Sequence, residues 1–235
     1  MKKRTAFSCC LVALGAMAHA DLFHDYENLT EGFLGTTYSQ DGLVYRDVNN
    51  VTGVDLDGNP FGPGDLGDQL VLENATFFYN DFPTYGSPIN SLTFGNAFVV
   101  GDNLSIGALS SVFMDYASLG IAASLDLAFY ENGPWGGVEY RLEALRNGNV
   151  VASDSFLIAD GGGRDNATFR TMSVSGAEFD SLHLFAIKNG EFTNPRGMID
   201  NLSITSAPVP EPATISALGI GALALLRRRK KNAKN

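Results

Sequence analysis

Cysteine is nearly absent from this chain, since Cys9 and Cys10 are its only two cysteines. Both lie in the first 20 residues, a segment with the pattern of a removable export signal, so the processed protein would contain none. This excludes disulfide bonds and thiolate metal sites from the main part of the chain. Residues 21–207 are numerous enough for one sizeable domain, whose stability must then come from its hydrophobic core.

Basic residues are scarce in the middle of the chain. Residues 21–207 hold only 7 of the 16 Lys and Arg but 25 of the 26 Asp and Glu, a formal charge of −18. Such a charge disfavours binding to nucleic acid or to an anionic membrane surface. It is compatible with bound divalent cations, but it favours the simpler interpretation of solubility in salt.

The apolar run at the N-terminus is too short for a membrane anchor, which takes about 20 residues. It includes Leu11–Gly15, follows the basic residues of Met1–Arg4 and precedes Ala18-His19-Ala20. This order predicts a secretory signal peptide over residues 1–20, with a signal helix, export through the Sec translocon and cleavage after Ala20 by signal peptidase. A lipoprotein signal is excluded, because both cysteines lie at the start of the apolar region.

The C-terminus has a motif, an apolar run and a basic cluster, in that order. Pro210-Glu211-Pro212 precedes the run Ala213–Leu226, and Arg227, Arg228 and Arg229 begin the cluster. As a helix the run would extend about 21 Å, less than the hydrocarbon core of about 30 Å. The basic cluster predicts that this end stays in the cytoplasm. An ordinary tail anchor is the alternative interpretation.

This C-terminal pattern resembles the PEP-CTERM sorting signal, in which a membrane protease of the exosortase class is thought to cut near the Pro-Glu-Pro. The resemblance implies a linker and motif over residues 206–212, followed by a short hydrophobic helix with a basic stop over residues 213–235. It also implies a transient inner-membrane anchor and a final location at the cell surface or outside the cell.

The middle of the chain has the period-2 alternation of β-strands. Val138, Tyr140 and Leu142 alternate with charged residues, and the following Asn147-Gly148 predicts a tight hairpin turn. The other predicted strands are 42–48, 69–72, 75–79, 91–100, 121–129, 149–152, 167–174, 181–187 and 198–205. Many short strands separated by turns predict an all-β fold, an antiparallel jelly-roll β-sandwich over residues 21–205.

Glu27 and Asp200 are the candidate metal ligands. The first and last strands of such sandwiches often lie side by side, which would bring these carboxylates together. Asp200 shares the parity of Leu202 and Ile204, and a carboxylate on an apolar face is costly unless it is paired or binds a cation. Oxygen ligands favour a structural Ca²⁺. The alternative is that both side chains cap turns by accepting backbone amides.

The segment Met198–Ile204 resembles the closing strand of galactose-binding-type jelly rolls in secreted carbohydrate-active proteins. It is a short motif, and it implies carbohydrate binding for the domain.

The only tryptophan, Trp135, lies in a loop between two predicted strands, with Tyr130 and Asn132 beside it. Aromatic side chains on a rigid scaffold can stack on sugar rings, and an amide can bond their hydroxyls. These three residues are therefore the candidate glycan site. The alternative is that Trp135 closes one end of the core.

Signs of catalysis are few. After removal of the signal peptide the chain would keep two histidines, His24 and His183, and it contains neither H-E-x-x-H nor G-x-S-x-G. The sequence therefore predicts a non-catalytic surface or extracellular-matrix protein that binds extracellular polysaccharide. A structural surface protein without a specific ligand and a secreted glycan-active hydrolase are the alternatives.

Overall fold

A computed structural model describes residues 21–48, 50–65, 70–74, 90–95, 99–100, 103–104, 111–131, 136–159 and 166–208. Residues Ala20–Ala207 form one compact unit. Within the described ranges there is no helix, and so none of the length and hydrophobicity that crossing a bilayer requires. The predicted signal helix, the predicted C-terminal helix and the predicted strand 75–79 lie outside these ranges.

Sixteen strands are found in the described residues. They are β1 (Leu22–His24), β2 (Gly32–Gly35), β3 (Tyr38–Gln40), β4 (Leu43–Arg46), β5 (Gly53–Val54), β6 (Pro60–Phe61), β7 (Leu70–Asn74), β8 (Asn90–Gly95), β9 (Val99–Val100), β10 (Asn103–Leu104), β11 (Ser111–Glu131), β12 (Val138–Arg146), β13 (Asn149–Leu157), β14 (Asn166–Lys188), β15 (Glu191–Phe192) and β16 (Arg196–Ser206). The predicted all-β class is confirmed, and the arrangement is consistent with a β-sandwich.

The long strands β11 and β14 connect two groups of strands. The first group includes β4, β12 and β13, and the second includes β1, β8 and β16. The first half of β11 and the second half of β14 lie between β4 and β12, whereas the second half of β11 lies beside β16. The inner faces of both groups contribute to one hydrophobic cluster, which includes Leu43, Tyr45, Met114, Leu142, Leu184, Leu125, Leu127, Met172, Leu202 and Ile204. Two strand groups that share one core have the packing of a sandwich.

The prediction of separate strands over 167–174 and 181–187 is wrong, because β14 runs through both as one strand of 23 residues. Gly176, with a φ of 94°, lets the backbone change direction without ending the strand. The predicted strand 121–129 is likewise only the second half of β11, which has 21 residues.

Gly120 lies where β11 passes from one group to the other. The pairing of β11 with β14 shifts register on both sides of this residue. A Cβ placed on Gly120 would lie 2.3 Å from Cζ of the buried Phe179. The close approach of the Phe179 ring therefore requires glycine at this position.

The hairpin turn predicted at Asn147-Gly148 is confirmed. It joins β12 to β13, and both of its residues have positive φ, 51° and 77°. This is the backbone of a type I′ turn, whose twist matches that of the two strands. The same pairing of positive φ values occurs at Asp41-Gly42 and at Asn189-Gly190.

Candidate functional site

The prediction that the first and last strands lie side by side is confirmed. Strand β1 pairs antiparallel with β16, with Leu22 opposite Ile204 and His24 opposite Leu202. Asp200 is fully buried. A register shift and the positive φ of Asn201 mark a bulge beside it, so Asp200 does not simply continue the alternation of Leu202 and Ile204.

Backbone amides contact both predicted metal ligands. Oε1 of Glu27 accepts a hydrogen bond from the Asn90 amide at 3.2 Å, and Oδ1 of Asp200 accepts one from the Asn201 amide at 2.7 Å. These are the contacts of the turn-capping alternative. In the described part of the chain, no group of three or more His, Asp and Glu side chains is placed to hold a metal ion.

The predicted glycan residues cannot be described in the same way. Trp135 and Asn132, and the side chain of Tyr130, lie outside the described residues. The same holds for Ala20, for Pro210, Glu211 and Pro212, and for Arg227, Arg228 and Arg229. The proposed roles of these residues stay predictions.

Another set of residues lies on the face of β4, β11, β14 and β12 that is opposite to the core. Cross-strand pairing aligns Arg46, Phe113, His183 and Glu143 in one line across four strands. Phe185 is the next residue of β14 on this face. Because side chains alternate between faces, the residues between them, such as Leu184, point into the core.

Four rings on this face, Phe113, His183, Phe185 and Phe192, form a continuous series that we call the aromatic row. Phe113 and His183 stack with their centroids 3.9 Å apart, and His183 and Phe185 stack at 4.4 Å. Phe185 and Phe192 follow at 5.5 Å. Cζ of Arg46 lies 4.7 Å from the Phe113 centroid, within the range of cation–π attraction.

Two bidentate ion pairs flank the aromatic row. On one side Nε and Nη2 of Arg46 donate to the two carboxylate oxygens of Asp115, at 2.5 and 3.1 Å. On the other side Nε and Nη2 of Arg141 donate to Glu139 at 2.8 and 3.1 Å. The Arg46 and Arg141 side chains are each 39% exposed, so a ligand from solvent can reach them.

These contacts determine the ionisation of the flanking carboxylates. Burial raises the pKa of Asp115, but the hydrogen bonds from Arg46 and Ser181 outweigh it, so this pKa is lowered. The hydrogen bond from Arg141 lowers the pKa of Glu139, whereas burial raises that of Glu143. The two ion-pair carboxylates are therefore fixed as charged acceptors near neutral pH.

His183 is held in place within the row by Ser111, whose Oγ lies 2.7 Å from Nε2. Burial, and then the charge of Arg46, lowers the pKa of His183 to about 4. A general base works best with a pKa near the operating pH, and Ser111 is fully buried. The pair therefore lacks the accessible nucleophile and active base of a serine hydrolase.

Sequence reasoning located His183 in a strand but did not recognise this face. The available signal was Ser181, His183 and Phe185, which alternate with the core residues of β14. A strand whose two faces both carry apolar or aromatic residues is covered on both sides, or binds something on one of them. The partners from β4 and β11 depend on long-range register, which the sequence did not supply.

The described residues define an all-β protein with a row of stacked aromatic rings on one outer face. Residues 208–230 match the PEP-CTERM protein-sorting motif, which confirms the predicted resemblance. This motif indicates export, C-terminal membrane anchoring before processing, and processing by an exosortase. No curated protein matches the chain.

Among solved structures, the chain is similar to adhesin domains and to a carbohydrate-binding module. The K2 cleaved adhesin domain of Lys-gingipain has 13% identity and a TM-score of 0.44, over 80% of this chain and 99% of that one. The K1 adhesin domain from Porphyromonas gingivalis W83 has 11% identity and a TM-score of 0.41, over 80% and 99%. The non-crystalline-cellulose-specific module CBM28 has 11% identity and a TM-score of 0.39, over 78% and 94%.

Proposed function

We propose that this protein is an exported, non-catalytic surface or extracellular-matrix protein whose domain, a jelly-roll sandwich, binds a neutral glycan at the aromatic row. The observation that carries the proposal is the series of stacked rings between two solvent-accessible bidentate ion pairs. Phe113 and Phe192 are only half-buried, so ring carbons and charged hydrogen-bonding groups reach solvent on the same face.

The chemistry of this face suits sugars. A sugar ring offers C–H groups that pack on aromatic carbon, and hydroxyls that pair with charged donors and acceptors. Each arginine that flanks the row is already fixed by its carboxylate, so little side-chain entropy is lost when a sugar hydroxyl binds. The ion pairs retain outward N–H groups and carboxylate lone pairs for that purpose.

The charge of the site favours a neutral glycan over an anionic one. Arg46 and Arg141 face Asp47, Asp115, Glu139 and Glu143, which leaves a local excess of negative charge. The domain as a whole is also strongly acidic. A polyuronate would be repelled by the negative charge of the site and by that of the whole domain, whereas a neutral polysaccharide would not.

The binding test uses the processed protein and two polysaccharides, a neutral β-glucan and the anionic alginate, in affinity electrophoresis. We expect retardation by the neutral polymer alone. Phe113→Leu, which stays apolar but removes the ring, and Arg141→Ala should each weaken it about tenfold. Phe23→Ala is the matched control, because Phe23 is 60% exposed on β1, away from the row.

A parallel variant, Trp135→Ala, separates the two candidate glycan sites. Loss of binding in this variant alone would move the site to the loop that contains Tyr130 and Asn132. No binding of any polysaccharide by the unaltered protein would favour the alternative of a structural surface protein without a specific ligand. Release of reducing sugar ends would favour the alternative of a glycan-active hydrolase.

We also propose a structural Ca²⁺ at Glu27 and Asp200, which the neighbourhood of β1 and β16 supports. The melting temperature is compared in EDTA and in excess Ca²⁺, since a ligand that binds only the folded state raises it. An unchanged melting temperature would contradict the Ca²⁺ site and favour turn capping. Glu27→Gln, which keeps an acceptor for the Asn90 amide, should remove the Ca²⁺ effect.

Processing at both ends is tested by intact mass spectrometry of the protein recovered from envelope and medium. The proposal expects a chain from Asp21 to near Pro210, after cleavage by signal peptidase and exosortase. A mass that retains Arg227 to Asn235 would instead indicate a permanent anchor and action at the inner membrane.

A further inference from the structure

Strand β13 lies at the edge of its strand group. It pairs with β12 on one side, and no described strand pairs with its other side. Val150 and Leu157 are 53% and 65% exposed, and six of its nine residues are exposed. An edge strand of this length presents unpaired N–H and C=O groups that can accept a further strand.

Beside this edge lies the first half of β14. The Ser173 amide donates to Oδ2 of Asp154 at 2.9 Å, which ties β13 to this half. Phe169 is 45% exposed, and Arg170 lies over the ring of Phe156 at 5.0 Å. The two segments, 149–157 and 166–176, together form what we call the β13 edge.

The β13 edge is almost free of charge in a strongly acidic domain. Its only charged residues are Asp154 and Arg170, so its formal charge is zero, against −18 for residues 21–207. Protected edge strands usually carry lysine, proline or inward charges. Strand β13 has no lysine or proline, and its one charged residue, Asp154, is bonded to the Ser173 amide. Its one irregularity is a bulge at Val151, near its start.

We propose that the β13 edge pairs antiparallel with the β13 edge of a second copy of this chain. The occupant follows from charge: two copies repel one another over most of their surfaces, and this edge is a neutral place at which they can approach. The C-terminal sorting signal adds to this, since copies anchored in one membrane have a raised effective concentration.

The register is limited by two-fold symmetry. A two-fold antiparallel pair is centred on one residue, which then lies opposite its own copy. A centre at Asp154 would put two carboxylates face to face, which is destabilising. Within the regular section after the bulge, we place the centre on a neighbour of Asp154, either Ser153 or Ser155, because both lie near the middle of β13.

Single-cysteine cross-linking tests this geometry directly, because the processed chain has no cysteine of its own. Directly opposed residues in antiparallel strands have Cα atoms about 4.5 to 5.5 Å apart, which fits a disulfide bond. We expect either Ser153→Cys or Ser155→Cys to form a disulfide-linked dimer under mild oxidation. Ser39→Cys, an exposed serine on the short strand β3, is the matched control and should stay monomeric.

A charge variant separates strand pairing from general attraction. Ser153→Lys/Ser155→Lys reduces the acidic excess, so general association would increase, but a strand pair would face repulsion between like charges. Sedimentation equilibrium should show a dimer of the unaltered protein at micromolar concentration and about a tenfold or larger rise in its dissociation constant in this variant. Ser39→Lys should leave the dimer unchanged.

The proposal is overturned by a monomer throughout the concentration series, or by cross-linking at residues 153 and 155 no greater than at residue 39. It is also overturned if the lysine variant associates more strongly. Ser153 and Ser155 lie opposite residues of β12 that belong to the proposed glycan site, so dimerisation is measured in the absence of glycan. None of these outcomes then depends on glycan binding.

Discussion

The two halves of β14 have the same alternation but use their outer faces differently. In the first half Met172 and Val174 enter the core, and Thr171 and Ser173 are exposed between them. In the second half Leu182, Leu184 and Ala186 enter the core, but their neighbours Ser181, His183 and Phe185 are buried as well. One strand therefore has a solvated outer face and a covered one, divided near Gly176.

The difference arises from neighbouring strands and not from β14 itself. The second half lies between β11 and β12, and Arg46 of β4 and Phe192 of β15 add to the cover. The first half pairs with β11 alone, apart from the Asp154 contact. A half with aromatic cover is suited to hold fixed binding groups, whereas an open half is suited to association.

The sharpest test of this contrast compares two phenylalanines of β14. Phe185→Ala removes a ring that is 7% exposed and stacked on His183, so we expect a loss of about 3 to 5 kcal/mol in the free energy of unfolding. Phe169→Ala removes a ring that is 45% exposed, and we expect a loss of about 1 kcal/mol or less. Urea unfolding measures both. Equal losses would mean that the two halves are covered alike.

The pH dependence of stability tests the burial of His183. Its pKa is about 4 in the folded protein against 6.5 as the ordinary value. Between these pH values the unfolded chain binds a proton that the folded protein does not, so stability falls as pH falls from 6.5 to about 4. At about 1.4 kcal/mol for each pKa unit, the loss amounts to about 3 kcal/mol.

His183→Gln, which keeps a hydrogen-bonding group beside Ser111 but does not titrate, should remove this component. His24 has a lowered pKa and Glu143 a raised one, and both titrate in the two proteins alike. The difference between the two urea-unfolding series across this pH window therefore isolates His183. Parallel curves would mean that His183 is accessible to solvent protons in the folded state.

Loss of the hydrogen bond between Ser111 and His183, in the second half of β14, should have a smaller effect on the free energy of unfolding. Ser111→Ala leaves a buried nitrogen of His183 without its 2.7 Å partner, which should cost about 1 to 3 kcal/mol. Ser173→Ala, on the exposed half, should stay within about 0.5 kcal/mol. The comparison fails if both serines behave alike in urea unfolding.

Much of the fold could be predicted from the sequence because the alternation is local. The strands of the β12–β13 hairpin and their Asn147-Gly148 turn follow from side-chain parity and from the positive φ that the turn requires. The pairing of β1 with β16 could be expected because the first and last strands of such sandwiches often lie side by side. The continuity of β14 did not, because Gly176 has the appearance of a strand end, and only pairing with β11 on both sides of it reveals one strand.

The aromatic row could not be predicted for a related reason. Each of its strands supplies one or two members, and the row exists only when Arg46, Phe113 and His183 are in register. A shift of one residue would move Phe113 to the opposite face. The sequence predicted other sites instead, a glycan site at Trp135 and a metal site at Glu27 and Asp200. The proposed roles of these residues stay predictions.

The smallest expected effect concerns Thr171, on the exposed half of β14. Its Oγ1 donates to Oδ1 of Asp126 at 2.5 Å, and Nδ2 of Asn201 donates to Oδ2 of the same carboxylate at 3.0 Å. Because the Thr171 contact is exposed, Thr171→Val, which keeps the β-branched shape, should change the free energy of unfolding by no more than about 0.5 kcal/mol. A loss above about 1 kcal/mol would show that this polar cluster organises the first half of β14, as the aromatic row organises the second.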